Sequence, residues 1–160
     1  MSSQILTDQK STAAFSRLMR ANQALARELS ARLITEHGLT INDYECLLHL
    51  SQADEFGLKR VELAERLQLT PSGVTRLLDG LERDGWVRKG ACDTDLRVTY
   101  AVLTEEGRER MERAGQTHVA QIREIFEARF SPEELEALVA LLGRLPGADA
   151  ADGGSCAPPA

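Results

Sequence analysis

Residues 59–89 read KRVELAERLQLTPSGVTRLLDGLERDGWVRK. Two short amphipathic helices are legible in this stretch. The first is predicted from Lys59 to Gln68, with Val61, Leu63, Ala64 and Leu67 on its buried side. The second starts after Thr70-Pro71. Threonine is a strong N-cap, and proline at the first helical position forfeits only an N–H that has no intrahelical partner. Val74, Leu77, Leu78 and Leu81 then recur at helical spacing until Asp84-Gly85 stops the pattern. After Gly85 the period changes. Trp86-Val87-Arg88 is predicted as a short β segment and Gly90 to Asp95 as a polar turn. Arg97 to Leu103 alternates, with Val98, Tyr100 and Val102 on one face and Thr99 and Ala101 on the other. Two short helices joined by Gln68-Leu69-Thr70, followed at once by a hairpin, make a winged helix-turn-helix.

That arrangement suits duplex DNA for physical reasons. The major groove is wide enough to admit an α-helix, and the second helix would present its first turns to it. In its first turns Pro71, Ser72, Gly73 and Thr75 are small or short enough for close backbone approach, the capping Thr70 is a further candidate DNA contact, and Arg76 carries two donors suited to a guanine edge. Lys59, Arg60, Arg88 and Lys89 are candidates for phosphate contacts around that helix. Apolar spacing alone also fits a plain helical hairpin. The basic β-hairpin downstream is what favours the DNA reading.

Outward from this core, residues 10–36 are predicted as a long helix, with Phe15, Leu18, Met19, Leu25, Leu29, Leu33 and Ile34 at helical spacing and Gly38 as a left-handed cap. Thr40 starts a second helix, with Asp43 completing a capping-box variant. Downstream, Thr104 caps a helix to about Arg129, and Ser131-Pro132 opens a last one ending near Gly143. The expected class is mainly α with a small β-hairpin wing. The expected division is a winged helix-turn-helix lobe over 37–103, dimerisation helices over 10–36 and 104–145, and a disordered tail over 146–160, rich in Ala, Gly, Asp and Pro. The long helices carry more apolar surface than one lobe needs, so a homodimer is expected.

The net charge of −6 argues against nucleic acid only when read globally. By segment, residues 1–30 carry +2 and residues 59–100 carry +1, whereas 31–58 carry −4, 101–145 carry −3 and the tail −2. The acid lies away from the stretch placed on DNA. No apolar run is long enough for a membrane helix and no secretory signal is legible at Met1, so a cytoplasmic, nucleoid-associated location is the expectation. Cys46, Cys92 and Cys156 have no metal or disulfide spacing, and neither do His37, His49 and His118 form a metal pattern. No nucleophile–base pair, catalytic carboxylate pair or phosphate loop is recognisable, so neither enzyme activity nor a cofactor is expected.

The chain resembles the MarR family of bacterial regulators over about residues 10–145. The resemblance is carried by Val74-Thr75-Arg76-Leu77-Leu78-Asp79, Leu81-Glu82 and Gly85-Trp86-Val87, together with Asp95-Leu96-Arg97 and Leu103-Thr104 in the wing. It implies a dimer with interlocked terminal helices, two DNA-binding lobes and a small-molecule pocket between lobe and dimer region. Arg97 would be the wing-tip residue entering the minor groove, and Asp95 would hold its guanidinium. An ordinary exposed ion pair is the other reading of those two residues. This chain has Leu96, Val98 and Gly80 where relatives often carry basic residues, and Gln68 where glycine is frequent. His49 and Trp86 are the candidate contacts for an aromatic or phenolic effector, although a satisfied polar contact in the core is the plainer role for His49. Cys46 is expected to be a buried structural thiol rather than a redox switch.

The expected function is a sequence-specific DNA-binding regulator, a repressor on a pseudo-palindromic operator. The alternative of a different class is a winged-helix module whose basic face meets another protein. Salt-sensitive affinity for duplex DNA separates the two.

Overall fold

The computed structural model describes residues 2–55, 57–91 and 99–147. Its helices and strands run in the order α1 (Ser2–His37), α2 (Ile41–Ser51), β1 (Leu58–Lys59), α3 (Arg60–Leu67), α4 (Pro71–Arg83), β2 (Val87–Ala91), β3 (Thr99–Leu103), α5 (Glu105–Glu127) and α6 (Pro132–Leu142).

Helix boundaries fall where side chains can satisfy the free N–H groups of a first turn. Thr40 Oγ1 accepts from the Asp43 N–H at 3.2 Å, and the Asp43 carboxylate accepts from the Thr40 N–H at 2.8 Å. Ser131 and Glu134 form the same reciprocal pair at α6. Thr70 and Thr104 cap α4 and α5 through the Gly73 and Gly107 N–H groups. α1 ends at Gly38, whose φ of +67° costs glycine little.

The core lies inside the lobe and reaches the long helices. Leu39, Cys46, Leu47, Leu63, Val74 and Leu81 are among its buried side chains, and Leu33 of α1 with Met111 and Ala114 of α5 close it from the other side. α5 packs along α1 and α2, passing Tyr44 at Gly115, where a Cβ would stand 3.2 Å from the Tyr44 hydroxyl. The lobe therefore sits on a scaffold made by the long helices.

Four expectations need correction. α1 begins at Ser2 rather than near residue 10, because nothing in residues 2–9 breaks a helix. The hairpin is a three-stranded sheet in the order β1-β3-β2, with Leu58 and Lys59 opposite Ala101 and Tyr100. β2 runs on through Gly90 and Ala91, which were expected in the turn, because they pair with Tyr100 and Thr99. Val61 is 68% exposed instead of buried. It stands in the first turn of α3, directly after β1 delivers the chain, whereas Leu63 and Leu67 of that helix are buried in the core and Ala64 packs against it. The wing tip, with Cys92, Asp95 and Arg97, lies outside the described residues, as does the tail beyond 147.

Candidate nucleic-acid interface

The link from α3 to α4 is tight. Gln68 caps α3 in the left-handed region, at φ 51° and ψ 38°, and its N–H donates back to α3 carbonyls. Leu69 tucks inward and Thr70 begins α4. The Thr70 hydroxyl is committed to the cap and lies 3.2 Å from Ser72 Oγ. Thr75 Oγ1 donates to the Pro71 carbonyl at 3.0 Å. Of the candidate side chains on this helix, Ser72 and Arg76 stand exposed, whereas Gly73 and Thr75 are half-buried. Arg76 thus offers its guanidinium within two turns of a helix N-terminus, where the dipole also favours phosphate.

The second group of cations surrounds the sheet. Arg60, Arg88 and Lys89 line one shallow groove with Leu78 and Glu82 of α4 and with Tyr100 of β3. Lys89 is not free there: its Nζ lies 2.9 Å from Glu82. Lys59 Nζ lies 5.8 Å from the centre of the Tyr100 ring. Its backbone N–H donates to Glu62 at 2.7 Å, which starts α3. The sequence reading missed the Glu82 partner. Glu82 and Lys89 are far apart by helical spacing and meet only because β2 folds back along α4.

Neither Trp86 nor His49 lines the two grooves beside α3. Trp86 lies at the corner between α4 and β2, half-buried, with the Arg110 guanidinium carbon 4.9 Å from its ring centre. His49, on α2, has its Nδ1 buried with no hydrogen-bond partner among the described residues, so the expected satisfied contact is not made at that atom. Burial, and then the nearby Arg66, lower its pKa. Cys46 is fully buried, and burial, helped by Asp43, pushes its thiol up to about 12. Such a thiol is neither ionised nor reachable.

Among the described residues no group of three or more His, Cys, Asp or Glu is placed to hold a metal ion, and no helix is long and apolar enough to cross a membrane.

Residues 39–99 match the MarR family. The chain is 36% identical to the HTH-type transcriptional repressor YetL of Bacillus subtilis over 108 residues, which span 68% of this chain and 64% of that repressor. Among solved structures, it is similar to Sco3205, a MarR family transcriptional regulator from Streptomyces coelicolor in complex with DNA. The TM-score is 0.74 at 28% identity, over 81% of each chain. AbsC, a MarR family transcriptional regulator from the same organism, aligns with a TM-score of 0.72 at 31% identity, over 82% of this chain and 88% of its own.

Proposed function

The chain belongs to the MarR family, and from that premise we propose that it is a transcriptional repressor that binds a pseudo-palindromic operator in duplex DNA as a homodimer. The observation that carries this reading is the α4 surface. Ser72 and Arg76 are exposed on its first two turns, and Arg60, Arg88 and Lys89 line the groove beside it. The similarity to a regulator solved on DNA supports the same assignment.

In this reading Arg76 reads a base edge, with Thr70, Ser72, Gly73 and Thr75 allowing close approach. Lys59, Arg60, Arg88 and Lys89 hold phosphates. Arg97, oriented by Asp95, enters the minor groove. A small aromatic effector at the lobe junction, near His49 and Trp86, would release DNA by binding one dimer state better than the other.

The test is selection of bound genomic fragments, followed by titration of the selected duplex at several salt concentrations. Affinity is expected to fall steeply with salt, as phosphate contacts displace counterions. Arg76→Ala is expected to cost roughly 1–3 kcal/mol and to relax preference at one position per half-site. Arg97→Ala is expected to weaken binding and blunt the preference for narrow minor grooves. A parent protein without salt-sensitive affinity for any duplex would instead favour the protein-binding module.

A further inference from the structure

The corner that ends the recognition helix is held by more contacts than a connecting turn needs. α4 stops at Arg83, and Asp84-Gly85-Trp86 turns the chain into β2. From the start of α5, Thr104 Oγ1 donates to the Gly85 carbonyl at 2.7 Å, and the Thr104 N–H donates to the Trp86 carbonyl at 3.1 Å. Gly107 passes so close that a Cβ there would stand 2.1 Å from the Trp86 carbonyl oxygen. The backbone of the corner is thus pinned to α5.

Its side chain is pinned further along. The face of the Trp86 indole is covered by the Arg110 guanidinium, 4.9 Å from carbon to ring centre. The same guanidinium donates through Nη1 to the His37 carbonyl at 3.1 Å. His37 is the last residue of α1, where carbonyls have no partner within the helix and a cation is favoured by the helix dipole. The His37 ring is itself fixed by a 2.7 Å hydrogen bond with Thr117 of α5. Arg110 therefore ties the recognition-helix corner to the end of α1, and does so from α5.

Arginine is suited to this geometry. Its planar fork donates in plane while its face lies over an aromatic ring. A lysine ammonium is a single point and serves one partner well at a time.

We propose that Arg110 is a positioning residue for DNA reading, locking the Gly85-Trp86 corner to the C-terminus of α1 so that the recognition helix is carried in register with the long-helix scaffold. The proposal rests on the DNA-binding, dimeric reading above. A loosened latch leaves each lobe able to bind its own half-site. It removes the fixed relation between the two lobes, so the loss appears as relaxed discrimination between half-site spacings and not as weaker binding of one half-site.

Trp86 is the only tryptophan in the chain, so its fluorescence reports the latch without DNA. The experiment compares the full-length parent with Arg110→Lys, Arg110→Met and Thr117→Val. Three quantities are measured: Trp86 emission, affinity for a duplex carrying one selected half-site, and the affinity ratio between the selected operator and one with two extra base pairs at its centre. Those two base pairs add roughly 70° of twist at about 10.5 base pairs per turn. Arg110→Met is expected to shift Trp86 emission, keep single-half-site affinity within about twofold, and reduce the spacing ratio by about tenfold or more. Arg110→Lys is expected to fall between it and the parent. Should the Arg110 variants not fold, Thr117→Val loosens the His37 anchor without touching Trp86, and a smaller loss of spacing discrimination is expected. Folded variants that keep the parent's spacing ratio overturn the proposal, and so does unchanged Trp86 emission in Arg110→Met. A parent that binds no duplex DNA sinks the DNA reading and the positioning role with it. A parent that binds DNA alongside indifferent variants sinks the positioning role alone.

Discussion

Two residues that flank α4, Gln68 ahead of it and Gly107 of α5 against the corner that follows it, differ in how well they suit their backbone. Gln68 holds φ 51° in the turn of the helix-turn-helix, a conformation that costs a residue with a Cβ about 1–2 kcal/mol relative to the right-handed region. Glycine carries no such cost, but it loses more chain entropy on folding, by roughly 0.5–1 kcal/mol. Gln68→Gly is therefore expected to stabilise the fold slightly, by about 0.5 kcal/mol, which a thermal melt reads as a rise of about 1–2 °C at this size. A lower melting temperature would mean that the Gln68 side chain stabilises the turn by a contact of its own. Gly107 is the opposite case, because the Trp86 carbonyl fills the space a Cβ would need. Gly107→Ala is expected to cost at least about 1–3 kcal/mol, as overpacked cores do, and a neutral result in urea unfolding would show that α5 shifts freely. Cys46, with its thiol pushed up to about 12, is expected not to react with a thiol reagent in the folded protein. Rapid labelling of Cys46 without denaturant would contradict its burial.

At the scale of elements, the histidines are expected to make the fold sensitive to acid. His118 of α5 is buried against Tyr44 with ring centres 5.1 Å apart, and its Nδ1 has no partner among the described residues. Burial lowers its pKa below the ordinary value of 6.5, and His49 is lowered in the same direction. His37 is lowered too: burial, Arg110 and Arg113 outweigh the opposing Glu36. The unfolded chain then takes up protons before the folded one. Stability is full above about pH 6.5 and falls as pH drops, by at most about 1.4 kcal/mol per pH unit for each neutral histidine. Urea midpoints at pH 7 and pH 5 are expected to show this fall, and His118→Phe to make it shallower. An equal slope in that variant would mean that His118 protonates in place. The elements themselves were mostly legible in the sequence, because their boundaries are chemical: Thr40 with Asp43, Thr70-Pro71, Thr104 and Ser131 each announce a helix within a few residues. β1 was not legible. Leu58 and Lys59 form a strand only because Ala101 and Tyr100 lie opposite, and no local pattern encodes a distant partner. For the same reason Arg76 and the wing cations could be nominated from residue type and position, while Glu82 beside Lys89 and Arg110 over Trp86 could not.

For the whole molecule, the question is what covers the apolar surface the single chain leaves open. Among the described residues none of α6 is buried, and Val139 is 71% exposed, with Leu141, Leu142 and Leu145 also bare. At the other end of the sequence, α1 exposes Phe15, Met19 and Ile34. An 11-residue helix is marginal in water without packing partners, so α6 needs a surface to lie on. A second copy is the occupant consistent with a two-fold operator, since a symmetric dimer presents two recognition helices about 34–36 Å apart, one turn of DNA. The parent is expected to sediment at micromolar concentration as a species of twice 17.6 kDa. Its melting temperature should rise with protein concentration, as it does when assembly stabilises the folded state. Val139→Asp combined with Leu142→Asp places two carboxylates on the face to be covered, and should yield a monomer that retains the lobe. Half-sites centred about 10 base pairs apart should then lose their joint advantage, while binding of one half-site persists. A parent that sediments at 17.6 kDa removes the dimer and with it the geometric basis for a palindromic operator. A dimer that survives both aspartates keeps the palindrome but moves the interface away from α6.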